Sequence, residues 1–227
     1  MATFTVYLVR HGHTWLNACG RMQGWINSFL TEKGKKQAIQ TGKMLADIHF
    51  NRVYTSDSAR TQETASLILE NNNCLQPQSV ISDSSFREVY YGGFEGELSS
   101  LAWRRIGAPV GMSLREDLYA NFGDNIVKNM TRDADPMKSA ENASMFWKRL
   151  NSGLLRLRNE AVGGERILLV SHGNTIRSLV AHYGATQGFI PKSKPENGSV
   201  TKLLVTENTV YVLSYDQHSV CQIESAL

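Results

Sequence analysis

Cysteine is scarce in this 227-residue chain: Cys19, Cys74 and Cys221 are widely spaced, and none belongs to a CxxC pair. An odd, dispersed set argues against a disulfide framework and a cysteine-rich zinc site, and points to a reducing, cytoplasmic setting. No apolar run approaches the roughly 20 residues that span a bilayer, so no membrane partner is expected. The first residues lack a basic segment followed by a long apolar one, and no secretory leader is expected. Charge of one sign is missing too. Lys plus Arg is 24 against 21 Asp plus Glu, a net charge of +3, too small an excess to suggest nucleic acid. Internal repeats and low-complexity stretches are absent, which sets aside solenoids and disordered linkers. With 41% hydrophobic and 20% charged residues, the chain reads as one globular domain over residues 1–227, with one substantial core. The pattern specifies no oligomer.

What is present is an alternation. Thr5–Val9 predicts a buried strand that stops at Arg10-His11-Gly12. Thr31 reads as a helix N-cap, followed by helical spacing of Ala38, Met44, Leu45 and Ile48. Arg52–Tyr54 and Val80-Ile81 predict short strands, with a helix over Ser58–Leu69 between them. Ala143–Ala161 has helical period up to Gly163-Gly164; Arg166–Val170 fits a buried strand and Thr175–His182 a helix. Val200–Val205 and Thr209–Ser214, around Glu207-Asn208, predict an antiparallel hairpin. Such alternation implies an α/β fold, a three-layer α/β/α sandwich with a mainly parallel sheet. The stretch at about 97–141 breaks the pattern and reads as an insertion of short helices and loops, either a lid or a stabilising excursion.

Ligands bind outside the carboxyl ends of strands in open α/β sheets. His11 and His172 both follow predicted strands, and each precedes a glycine that lets a ligand approach the backbone. Arg60 lies one turn into a predicted helix, and Glu88 lies in Phe86–Gly96. Two histidines, two arginines and a carboxylate suit phosphoryl transfer. A neutral imidazole attacks phosphorus, guanidinium forks stabilise the equatorial oxygens, and a carboxylic acid protonates the leaving oxygen. No metal site is expected: the His11-Gly12-His13 pair lacks acidic or cysteine partners at suitable spacing, and its arginine neighbours repel cations.

Five blocks, in order, resemble the histidine phosphatase superfamily, whose cofactor-dependent phosphoglycerate mutases and broad-specificity phosphatases share an Arg-His-Gly motif on the first strand. They are Arg10–Asn17; Gly20–Trp25 with Leu30–Gly34 and Gln37-Ala38; Ser56–Thr64; Glu88–Gly96; and Ser171–Arg177. The resemblance implies His11 as the phosphorylated nucleophile, with Arg10, Arg60 and His172 as the phosphate pocket and Glu88 as proton donor. It also implies substrate contacts at Asn17, Gln23, Gly24, Tyr91, Gly173 and Asn174.

A phosphatase passes the phosphoryl group to water and a mutase to a substrate hydroxyl. The mutases carry basic residues after the catalytic glutamate. This chain has Val89-Tyr90-Tyr91 there, and Ser99 where the mutase pattern has a lysine. These departures favour a metal-independent phosphomonoesterase acting on a small phosphorylated metabolite, with no cofactor. Its site would include an aromatic wall drawn from Trp25, Tyr90, Tyr91, Phe94 and Trp103. The alternative is a mutase, which would use 2,3-bisphosphoglycerate as cofactor. A non-catalytic phospho-ligand binder is a further alternative, disfavoured because all five catalytic-type residues are present.

Overall fold

The computed structural model describes residues 2–75, 77 and 79–219. Six strands form one sheet: β1 (Phe4–Arg10), β2 (Arg52–Thr55), β3 (Val80–Ser82), β4 (Arg166–Ser171), β5 (Val200–Val205) and β6 (Val210–Gln217). Their order is β3-β2-β4-β1-β5-β6. The first four named pair in parallel, while β5 runs antiparallel to β1 and β6 antiparallel to β5. Among the described residues, seven α-helices flank it: α1 (Trp15–Ala18), α2 (Glu32–Met44), α3 (Ala59–Glu70), α4 (Ser99–Gly107), α5 (Arg115–Ala134), α6 (Ala143–Glu160) and α7 (Gly173–Tyr183).

Alternation along β1 explains the three layers, because successive side chains leave opposite faces of a strand. Tyr7 and Val9 join Leu45, Phe50, Val53, Ala65 and Ile68 in one buried cluster beneath α2 and α3. Phe4, Val6 and Leu8 join Phe146, Leu150, Leu154, Ile176 and Leu179, from α6 and α7, in the other. The predicted sandwich is the fold observed.

Two expectations change in detail. Helix α2 stops at Met44, short of Ile48. The Asn72 side-chain amide donates to the carbonyls of Leu45 (2.5 Å) and Ile48 (3.1 Å) and so takes over the terminal acceptors. In the hairpin, Thr206–Thr209 form the connection and the second strand runs on to Gln217; the tail from residue 220, with Cys221, lies outside the described residues. The 97–141 segment holds α4 and α5, and α5 is two shorter helical stretches that meet at a break at Gly123. Gly123 (φ 72°, ψ 176°) bends α5, a conformation open to glycine and masked in a search for helical period. Asp124 follows at once and ion-pairs Lys128 and Arg177, while Ile106, Leu118 and Val127 enter the core.

Close backbone approach fixes the end of β1. A Cβ on Gly34, in the first turn of α2, would stand 2.0 Å from the His13 carbonyl oxygen, and one on Gly12 would stand 2.4 Å from the Gly34 carbonyl oxygen. Gly34→Ala is therefore expected to destabilise the protein by about 1–3 kcal/mol. A Cβ on Gly163 meets nothing nearer than 4.0 Å, so Gly163→Ala serves as control. Urea unfolding checks both, and equal midpoints would contradict this packing.

Candidate active site

Arg10 and Ser171 are register partners on β1 and β4, so His11 and His172 leave adjacent parallel strands side by side. Their rings meet edge-on with centroids 5.2 Å apart. Both are buried. Both imidazoles are held well below their ordinary pKa, first by burial; Arg60 and then Arg10 add to this at His11, and Arg60 and then His11 at His172.

Hydrogen bonding fixes their tautomers. His11 Nδ1 lies 2.8 Å from the Gly12 carbonyl oxygen, which only accepts. Nδ1 therefore carries the proton, and the Nε2 lone pair is free. At His172 the order reverses. Arg60 Nη2, a donor only, sits 3.0 Å from Nδ1, so Nε2 carries the proton and donates to Ser56 Oγ at 2.7 Å.

Two guanidinium groups frame the pair. Arg10 Nη1 donates to the Pro195 carbonyl (2.6 Å). Arg60 donates through Nη2 to the Gly24 carbonyl (2.6 Å) and through Nη1 to that of Ile26 (3.0 Å). Burial pushes each guanidinium down to about 10. Arg10 Nε and Arg60 Nε are buried without a hydrogen-bond partner.

Glu88 meets the N-terminus of α7. One carboxylate oxygen accepts from the Asn174 N–H (2.9 Å) and side-chain amide (3.3 Å). The other accepts from the N–H groups of Thr175 (3.0 Å) and Val89 (3.0 Å) and from the Thr175 hydroxyl (3.2 Å). The orphan N–H groups and dipole of the helix end suit a carboxylate. Arg149, paired through two hydrogen bonds with Glu141, clamps the same segment by donating to the carbonyls of Ser85, Arg87 and Glu88.

Arg10, His11, Asn17, Gln23, Glu88, Tyr91 and Asn174 line one cavity of about 370 Å³. Arg60, His172 and Gly24 line a smaller recess of about 210 Å³, which shares Glu88 with the first. The expected residues are thus neighbours divided between two openings. Asn17 and Gln23 hydrogen-bond each other. Tyr91 is buried and its hydroxyl accepts from the Asn174 amide at 2.7 Å, so it is both a core aromatic and a wall of the cavity. Gly173 packs against Arg10, whose Nε would stand 3.0 Å from an added Cβ. Of the expected aromatic wall, Tyr91 and Trp103 line the cavity and Trp25 the recess. Phe94 belongs to the core, and Tyr90 packs on Trp25, with ring centroids 4.7 Å apart.

Arg104 and Arg115 line the cavity, and so does Ser99; Arg105 ion-pairs Glu97 instead. Lys194 and Arg21, also in the lining, were missed. The available signal for Lys194 was topological: Val200 pairs with Val9, which brings the chain before β5 to the carboxyl end of β1. The Lys194 ammonium is pushed down to about 7 by surrounding protein and then by Arg10 and Arg115.

The neutral histidines make stability depend on pH. Unfolded chains protonate histidine near pH ~6.5, whereas the folded chain holds His11 and His172 uncharged. Their contribution is complete above that pH and is lost as the pH falls. The urea midpoint is expected to drop between about pH 7 and about pH 5, and less steeply in a His11→Asn, His172→Asn double variant. An unchanged slope would contradict the neutral pair.

Residues 6–218 match the family pattern of the histidine phosphatase superfamily (branch 1). Two relatives are named "Probable phosphoglycerate mutase GpmB". The Erwinia tasmaniensis protein is 42% identical over 106 residues, covering 44% of this chain and 47% of that one. The Cronobacter sakazakii protein is 34% identical over 180 residues, 78% and 73% of the two chains. The crystal structure of a phosphoglycerate mutase from Bacillus anthracis superposes with a TM-score of 0.85 at 33% identity, covering 99% of this chain and 97% of that one. The match over nearly the whole chain, with the paired histidines at the ends of β1 and β4, makes this protein a member of the histidine phosphatase superfamily, branch 1.

Proposed function

We propose that this chain is a metal-independent phosphomonoesterase working through a phosphohistidine at His11. One observation carries the reading. A neutral imidazole with its Nε2 lone pair free lies beside two buried guanidinium groups whose Nε donors lack partners. Such donors stabilise the charge on an in-flight phosphoryl group.

In the first step His11 Nε2 attacks phosphorus, the bond to the leaving alcohol breaks, and a proton held by Glu88 passes to the leaving oxygen. In the second, Glu88 takes a proton from water as the water oxygen attacks phosphorus; the N–P bond breaks and inorganic phosphate leaves. Arg10 and Asn17 hold the phosphoryl oxygens from the main cavity. Arg60, braced by His172 and the carbonyls of Gly24 and Ile26, supplies positive charge from the recess. Gln23, Tyr91 and Asn174 shape the pocket, Gly24 positions Arg60, and Gly173 keeps the α7 end close to Arg10. The α4–α5 segment, 97–141, forms the outer wall over this site. The scarcity of cysteine supports a cytoplasmic setting.

A second reading is a phosphoglycerate mutase using 2,3-bisphosphoglycerate. Arg104, Arg115 and Lys194 in the cavity lining and the names of the similar proteins favour it. Ser99, in the wall where the mutase pattern has a lysine, and the uncharged Val89-Tyr90-Tyr91 favour hydrolysis.

His11→Ala is expected to lower turnover at least about a thousandfold with an unchanged circular dichroism spectrum, and to take up no label from a phosphorylated substrate; full activity in this variant would overturn the mechanism. Chelators should leave the rate unchanged, and vanadate should inhibit. Following inorganic phosphate and 2-phosphoglycerate from 3-phosphoglycerate, with and without 2,3-bisphosphoglycerate, separates the two readings. Phosphate release with negligible isomerisation is expected; fast bisphosphoglycerate-dependent isomerisation would establish the mutase.

A further inference from the structure

Residues 87–91, which carry Glu88, belong to no helix and no strand, so their backbone polar groups find partners among side chains. Arg149 reaches three carbonyls of this stretch and of the turn before it. It stands on α6, which Phe146, Leu150, Leu154 and Leu157 seat in the core. All five of its N–H donors are engaged at one place. Nε and Nη2 donate to the Glu141 carboxylate (2.8 Å each), Nη1 to the carbonyls of Ser85 (2.8 Å) and Arg87 (3.1 Å), and Nη2 again to that of Glu88 (3.3 Å). The Trp25 indole shares the Glu88 carbonyl at 2.9 Å, from a ring that is itself 36% exposed. The α6 backbone also comes close: a Cβ on Gly153 would stand 2.8 Å from Ser85 Cβ and 2.9 Å from Phe86 Cζ.

Glu141 is the other half of this clamp. Its carboxylate accepts from the Tyr90 N–H (3.1 Å), and its own N–H donates to the Tyr90 carbonyl (2.9 Å). The two side chains are almost out of water, with 15% of Arg149 and 5% of Glu141 exposed. Their charges cancel, so the clamp fixes the backbone beside the site and adds no net charge there. Arg149 thus differs from Arg10 and Arg60, which each keep an Nε without a partner and line the two openings. It has no donor left and stands outside the lining of both the cavity and the recess. A carboxyl that releases and regains a proton changes its hydrogen bonds at each transfer. The five donors on the Glu88 carboxylate are therefore not enough to hold it in one place through the cycle, and its backbone must be held as well.

We propose that Arg149 is a positioning residue for Glu88: paired with Glu141, it fixes the backbone of residues 85–88 and so the place from which the Glu88 carboxyl meets the leaving oxygen. The inference rests on the phosphomonoesterase reading for the proton-donor role of Glu88.

Three esters of similar shape test it: 2,4-dinitrophenyl, 4-nitrophenyl and phenyl phosphate, compared by kcat/KM, which covers the step that releases the phenol. Dinitrophenolate leaves without a proton, whereas phenolate needs one. Arg149→Gln is expected to lower kcat/KM for phenyl phosphate about a hundredfold and that for the dinitrophenyl ester by no more than about threefold. Arg149→Lys keeps the charge without the five-donor fork and should lose nearly as much. Glu141→Gln, which keeps the shape of the clamp and breaks its pairing, should show the same selective loss, and serves if Arg149→Gln does not fold. An equal loss on all three esters would mean a merely structural role and would overturn the proposal, as would full phenyl phosphate activity in a folded variant. Amide hydrogen exchange reads the clamp without turnover. The N–H groups of Val89, Asn174 and Thr175, all donors to the Glu88 carboxylate, should exchange about tenfold or more faster in Arg149→Gln, while those of Leu168, Leu169 and Val170 in β4 stay as in the wild type. Uniform acceleration at both places, or none at the first, would contradict the inference. Because exchange does not involve His11, failure of the clamp and failure of label uptake at His11 are separate results.

Discussion

Arg10 and Arg60 bury their guanidinium groups at the heart of the molecule, and among the described residues neither touches a carboxylate in an ion pair. Removing such an ion from water costs several kcal/mol. Backbone carbonyls offset the cost: Pro195 for Arg10, Gly24 and Ile26 for Arg60. Those carbonyls act only if their loops are held. The Glu95 carboxylate accepts from the N–H groups of Gly24, Trp25 and Ile26 at 3.0–3.2 Å and from that of Tyr91 at 3.0 Å. The negative charge that supports Arg60 thus stands one loop away, where it organises the site without neutralising it.

The same two charges dictate the state of the histidines. An imidazole between guanidinium groups, out of water, stays neutral, and a neutral ring must divide its nitrogens between a donor and an acceptor. Arg60 compels His172 Nδ1 to accept; the Gly12 carbonyl compels His11 Nδ1 to donate. One ring is thereby committed at both nitrogens, and the other is left with a lone pair. Adjacent strands deliver identical side chains that hold opposite tautomers because the partners around them differ.

Much of this was legible in the sequence, because the decisive signals were local. A β-branched run that ends in Arg10-His11-Gly12, and a second that ends in Ser171-His172-Gly173, place two histidines at strand ends, and the strand–helix alternation makes those strands parallel. Glu88 was identifiable by its block of neighbours. Four of its five donors were not, since Asn174 and Thr175 lie 86 and 87 residues away. Ser56 stood inside a quoted block, yet its bond to His172 spans 116 residues. Lys194 escaped because its surroundings, Pro191–Gly198, have no period, and only the pairing of β5 with β1 brings them to the site. In α5, Gly123 separates two shorter helical stretches, so no single helical period spans Arg115–Ala134.

These two kinds of legibility correspond to two kinds of construction. The strand-end half of the site is made of side chains locked to the backbone: His11 to Gly12, Arg60 to Gly24 and Ile26, Glu88 to the end of α7. The opposite end is made of Ser99, Arg104, Arg115 and Lys194, side chains that project from α4, α5 and a surface loop into the cavity. Of these, Arg115 is fixed by aromatic rings, while Lys194 reaches across on a flexible stem. Substitution there alters the charge and shape of the cavity and leaves the strand ends as they are. Such a division places the variable part of the cavity lining in the 97–141 wall and the loop before β5, away from the histidines at the strand ends.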